Sequence, residues 1–73
     1  MNKLFTTFSQ QLRLIAESKG LSQADLAAKL EIPKQTVNGW FRGLSHPNLP
    51  MACRLADVLD VSLDFLTGRS DKE

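Results

Sequence analysis

Seventy-three residues hold one cysteine, Cys53, and one histidine, His46. A lone cysteine excludes an internal disulfide, and one thiol with one imidazole falls short of a zinc ligand set. The same scarcity argues against an enzyme, because nucleophilic or metal-assisted chemistry needs several converging polar groups. Apolar runs are short too, two or three residues at most, which leaves neither a membrane span nor a signal-peptide core. There is no strand candidate and no internal repeat. The expectations are a chain of cytosolic residence that needs no cofactor and no metal and has no membrane partner and no evident small-molecule ligand.

What is there reads as an ordinary folded domain: 42% hydrophobic and 23% charged, with 4 glycines and 3 prolines. At this length there is room for one domain, and folding buries only about 60% of the unfolded chain's surface. The net charge is +1, which by itself indicates no anionic partner. Its layout is uneven. Residues 1–47 carry Lys3, Arg13, Lys19, Lys29, Lys34 and Arg42 against Glu17, Asp25 and Glu31, whereas residues 48–73 carry Arg54, Arg69 and Lys72 against Asp57, Asp60, Asp64, Asp71 and Glu73. One half is mildly basic and the other mildly acidic.

Phe5, Phe8, Leu12 and Ile15 form the stripe of an amphipathic helix, roughly residues 7–18, which Gly20 stops. Ser22 caps a second helix: Asp25 can reach back to the cap, Leu21 can pack on Leu26, and the helix ends near Leu30. Pro33 is tolerated only in a helix's first turn, so a third helix begins there, with Val37, Trp40 and Phe41 on its apolar side and Gly43 at its end. The spacing of Trp40 with Val37 predicts core packing rather than base stacking. Asn48 caps a fourth helix with Pro50 in its first turn, Ala52, Leu55, Ala56 and Leu59 on one face, and Asp60 at the stop. Cys53 on that helix reads as a small reduced residue, not a sensor. Ser62 caps a fifth helix that Gly68 closes, with Asp64 in its first turn. Residues 1–68 are then one domain and 69–73 a polar tail.

Helices two and three are short, and the turn between them is too tight for antiparallel packing. They must cross steeply, as in a helix-turn-helix. Lys34, Gln35, Asn38, Gly39 and Arg42 are left on the outward side of helix three.

These segments resemble the Cro/phage-repressor family, the lambda-repressor-like, XRE-type five-helix domain. The resemblance rests on Leu21-Ser22-Gln23-Ala24-Asp25-Leu26-Ala27, Val37-Asn38-Gly39-Trp40, Arg42-Gly43 and the run from Leu55 to Leu66, at the family's mutual spacing over residues 8–68. It implies an all-α domain in which helix three, Pro33 to Arg42, enters the major groove of double-stranded DNA. Lys34, Gln35, Asn38 and Gly39 then fall at base-reading positions. Glutamine and asparagine suit adenine, lysine suits guanine or a phosphate, and Gly39 either lets the backbone approach closely or leaves a base unread. The resemblance assigns phosphate contacts to Ser22, Gln23, Thr36, Arg42, Ser45 and His46, with the Gln23 amide bracing the first residue of helix three. His46 is equally a loop histidine packed between its neighbours.

It further implies a transcriptional regulator, a repressor or Cro-like protein, that binds a near-palindromic operator as a homodimer and associates weakly without DNA. Leu63 on helix five is its exposed apolar candidate for the dimer surface. Such a protein works in the nucleoid or in a host cell's cytoplasm. An antitoxin that regulates its own operon, and a protein-interaction module without DNA binding, are the alternatives. Ending five residues after Gly68 suits a whole Cro-like protein and equally the first domain of a longer repressor.

Three departures from the family pattern stand out. Ala16 and Phe41 occupy positions where many members place an arginine–glutamate pair, and Phe41 is expected to pack over Ala16 instead. Glu31 stands where a turn glycine is common, so a positive φ is expected there at a cost on the order of 1 kcal/mol. Pro33 replaces the usual serine or threonine cap, which leaves helix three less well capped than helix two.

Overall fold

The computed structural model describes residues 3–68, with side chains from Phe8 onward. The polar tail expected at 69–73 and the core role expected of the Phe5 side chain lie outside the described residues. Five helices follow one another: α1 Lys3–Lys19, α2 Gln23–Leu30, α3 Lys34–Phe41, α4 Leu49–Leu59 and α5 Leu63–Leu66. There is no strand among the described residues, so the fold is all-α. None of these helices is long and apolar enough to cross a membrane.

α1 starts four residues before the expected residue 7. Nothing between Lys3 and Thr7 is glycine or proline, so no residue there halts a helix already nucleated by the buried turns that follow. α3 is one residue shorter at each end than expected. Pro33 has an extended ψ of 144° and Arg42 lies outside the last helical residue, so both are caps rather than helical positions. As anticipated, no side chain caps α3. α2 has the full reciprocal box: the Asp25 N–H donates to Ser22 Oγ at 3.0 Å and the Ser22 N–H donates to Asp25 Oδ2 at 2.9 Å. Asn48 and Ser62 cap α4 and α5 by accepting the N–H groups of Met51 and Phe65, each at 3.0 Å.

The four longer helices end in the same way. After α1 the Leu21 N–H donates to Ala16 O at 2.9 Å, after α2 Ile32 to Ala27 at 3.0 Å, after α3 Leu44 to Gly39 at 3.0 Å, and after α4 Val61 to Ala56 at 3.0 Å. This is the six-to-one bond of a Schellman turn, which needs a left-handed residue just before the donor. Gly20 and Gly43 supply it at φ 70° and 74°, whereas Glu31 and Asp60 adopt it at 58° and 57° despite their side chains. An apolar residue follows each turn. Leu21 and Ile32 are half-buried and Val61 is buried, but Leu44 stays 64% exposed.

Leu12, Leu26, Leu30, Leu55, Leu59, Leu66 and Val37 are fully buried, so every helix contributes to one core. Burying side chains of this kind is worth about 1.5–3 kcal/mol each. Trp40, at 3% exposure, belongs to it as its spacing predicts. α2 packs on α3 and α4, α1 crosses α3, and α5 closes the end against α1 and α4. Two hydrogen bonds tie distant elements: Gln11 Nε2 donates to Phe65 O at 2.9 Å, and Arg54 Nη2 donates to Leu30 O at 3.2 Å. The second places a cation on the negative end of α2. Ala16 is buried at 1% exposure, and Phe41 is half-buried against the same core.

Candidate nucleic-acid interface

Burying Val37 and Trp40 orients the rest of α3. With those two positions turned inward, Lys34, Gln35 and Thr36 are exposed and Asn38 and Gly39 are half-exposed. One helical turn separates Gln35 from Gly39, so they share a face, with Asn38 beside them.

Gln23 sits at the start of α2, next to its cap, and the packing of α2 on α3 brings it to that face. Asn38 Nδ2 donates to Gln23 Oε1 at 3.1 Å. The brace therefore reaches Asn38, in the middle of α3, and not the first residue of the helix as the resemblance implied. Lys34, at that first position, is an exposed cation on a flexible stem with donors only, whereas asparagine offers both a donor and an acceptor on a short, stiffer side chain. With this bond in place, Asn38 keeps its carbonyl oxygen and a second N–H. Gln23, Lys34, Gln35 and Asn38 together line one open concavity of about 340 Å³.

The remaining residues assigned to phosphates do not line this concavity. Ser22 is committed to the cap of α2, and its N–H already serves Asp25. The Ser22 N–H, then its hydroxyl, hold the Asp25 carboxyl below the ordinary carboxylate range; Lys29 adds to this and desolvation opposes it. Thr36 lies on the flank of α3 and shares a groove of about 270 Å³ with Ile32, Pro33, Trp40, His46, Pro47, Asn48 and Met51. His46 is exposed and also borders a small apolar pocket of about 80 Å³ with Phe8, Pro47, Ala52 and Thr67. Arg42 is exposed at the C-cap of α3.

A helix-turn-helix family model matches residues 12–66 of this chain. The protein belongs to the helix-turn-helix family, in its Cro and phage-repressor form. It is 32% identical over 66 residues to the HTH-type transcriptional regulator YqaE of Bacillus subtilis (strain 168), covering 90% of this chain and 57% of that protein. It is 36% identical over 59 residues to the SPbeta prophage-derived HTH-type transcriptional regulator YonR of the same organism, covering 81% of this chain and 55% of that one. The chain thus spans a little over half the length of the curated relatives it matches. Among solved structures, the restriction-modification controller protein C.AhdI from Aeromonas hydrophila is similar with a TM-score of 0.79 and 34% identity, over 85% of this chain and 94% of that one.

Within this helix-turn-helix domain, four placements were not legible in the sequence. Ser45 lies over Gly39, with its Oγ 3.1 Å from where a Cβ at residue 39 would stand. Leu63 is half-buried against the core and not the exposed residue expected, because the short α5 turns it toward α1 and α4. Among the described residues, the strongly exposed large apolar side chains are instead Leu14 at 64%, Leu44 at 64% and Leu49 at 68%. Cys53 is a free, exposed thiol.

Proposed function

We propose that this protein is a sequence-specific, double-stranded-DNA-binding transcriptional regulator of the repressor or Cro-like kind. The observation that carries the proposal is the Gln23–Asn38 hydrogen bond. It ties the start of α2 to the exposed face of α3 and orients the Asn38 amide beside Lys34 and Gln35, in an open concavity.

In this reading α3 enters the major groove. Asn38 and Gln35 each offer the acceptor and donor that pair with adenine N6 and N7, and Lys34 reaches guanine O6 and N7. The Gln23 and Ala24 N–H groups, which have no acceptor within α2, face the sugar-phosphate backbone from the positive end of that helix. Arg42, Thr36 and His46 hold phosphates on the other flank, positioning the domain without reading sequence. Repression follows from occupying a promoter, and no catalysed reaction is involved.

A single domain of this size presents few base contacts, so tight binding requires two. A symmetric homodimer, weak without DNA and joined around α5 where part of Leu63 stays exposed, sets two copies of α3 about 34–36 Å apart on a near-palindromic operator. Such a protein acts in the nucleoid or in a host cell's cytoplasm. The restriction-modification role in the name of C.AhdI and the prophage origin of YonR fit a compact regulator of this type.

Selection from a random-sequence DNA pool, followed by gel shifts at two salt concentrations, tests the reading. The expected result is an enriched near-palindrome with affinity that falls steeply with salt. Gln35→Ala should relax one base position in each half-site, whereas Arg42→Ala should weaken all sequences about equally. No enrichment would remove the DNA-reading function and leave the protein-interaction module.

A further inference from the structure

We infer that Ser45 is a base-reading residue that takes the place of the side chain Gly39 lacks; this rests on the DNA-reading role proposed above. Glycine inside a helix is unfavourable relative to alanine, and Gly39 lies in the interior of α3 without a positive φ to require it. Its surroundings supply a reason. A Cβ added there would meet Ser45 Oγ at 3.1 Å, tighter than ordinary van der Waals contact.

Ser45 is brought to this place by the chain reversal at the end of α3. The Leu44 N–H donates to Gly39 O at 3.0 Å and the Gly43 N–H donates to Trp40 O at 3.3 Å. Gly43, at φ 74°, turns the chain back so that residue 45 lies along the helix rather than beyond it. The face concerned is the one that carries Gln35, a single turn earlier. Ser45 is exposed, and its Oγ lies beside the position that a side chain at residue 39 would take on that face. A hydroxyl both donates and accepts, and serine therefore pairs with any of several base edges. Its short side chain demands close approach of the helix to the base, which the missing side chain at 39 permits. On this reading Ser45 belongs with Lys34, Gln35 and Asn38 rather than with the phosphate contacts among which the resemblance places it.

The test is DNA selection from a random pool with the wild type, Ser45→Ala and Gly39→Ala, with Tm and salt dependence measured for each. Ser45→Ala should lower the preference at one base position, next to that of Gln35, by at least about fivefold and leave the salt slope unchanged. Gly39→Ala should alter the preference at that same position, because its methyl group displaces the hydroxyl, while Tm does not fall. The double variant should match the single ones at that position. A Ser45→Ala protein that loses affinity equally for all sequences, or selects the wild-type site unchanged, overturns the inference while leaving the DNA-reading function in place. A wild type that selects no sequence overturns both.

Discussion

Replacing Glu31 with glycine should stabilise the domain, and the size of the gain follows from its backbone. Glu31 holds φ 58° and ψ 45° at the C-cap of α2, where a side chain meets the following carbonyl at a cost of about 1–2 kcal/mol. It is kept there because the turn secures two backbone bonds, Glu31 N–H to Ala28 O at 3.3 Å and Ile32 N–H to Ala27 O at 3.0 Å, and seats Ile32 against the core. Glycine removes the clash but adds freedom to the unfolded chain worth about 0.5–1 kcal/mol. The net gain is about 0–1.5 kcal/mol, centred on about 0.75 kcal/mol, which is a Tm rise of about 3–6 °C for a domain of this length.

Two controls isolate the cause. Glu31→Ala keeps the Cβ and removes the negative charge from the negative end of α2, so any gain it shows belongs to the helix dipole and should be small. Asp60→Gly acts on the same geometry, φ 57° and ψ 45°, but aspartate tolerates the left-handed region better and the gain should be smaller. Thermal unfolding followed by circular dichroism gives all three. If Glu31→Gly melts no higher than Glu31→Ala, backbone strain at the turn is not what limits stability.

Other expectations concern the capping box, the interface and the α1–α3 contact. Asp25 titrates below the ordinary carboxylate range when folded, so its contribution is present above its unfolded pKa and lost as the pH falls through its folded one. Asp25→Asn should accordingly flatten the decline of Tm between about pH 5 and pH 2, and an unchanged slope would count against the box. Gln23→Ala should cost about 1 kcal/mol of specific DNA affinity, concentrated at the base read by Asn38, with little change in Tm; a uniform loss across sequences would mean that Gln23 acts on phosphate alone. Phe41→Glu should destabilise, and pairing it with Ala16→Arg should recover part of the loss; equal destabilisation by single and double variants would show that the two positions do not compensate.

Much of the fold is legible in the sequence because helix ends are local chemistry. Ser22 with Asp25, Asn48 with Pro50, Ser62, and the stops at Gly20, Gly43 and Asp60 act over three or four residues, and those spacings are visible in a string of letters. The apolar stripes are equally local, and they turn the right faces inward at Val37 and Trp40. The exposed face of α3 follows from the buried one, which is why the spacing of apolar residues alone picks out Lys34, Gln35 and Asn38.

Pairings between elements are less accessible. That Gln23 bonds Asn38 and not the first residue of α3 depends on the crossing of two helices, a distance that no spacing along the chain encodes. The resemblance places Ser45 among the phosphate contacts without showing its neighbours, and it is the Schellman turn after α3 that sets its Oγ beside Gly39. Leu63 stands on a helix too short to show a stripe, and only the packing of α5 on α1 and α4 half-buries it. The sequence by itself determined five helices, their caps and the outward face of the third. The tertiary structure decided which polar groups on that face hold one another in place, because those contacts join residues whose separation is set by how the helices pack on a shared core.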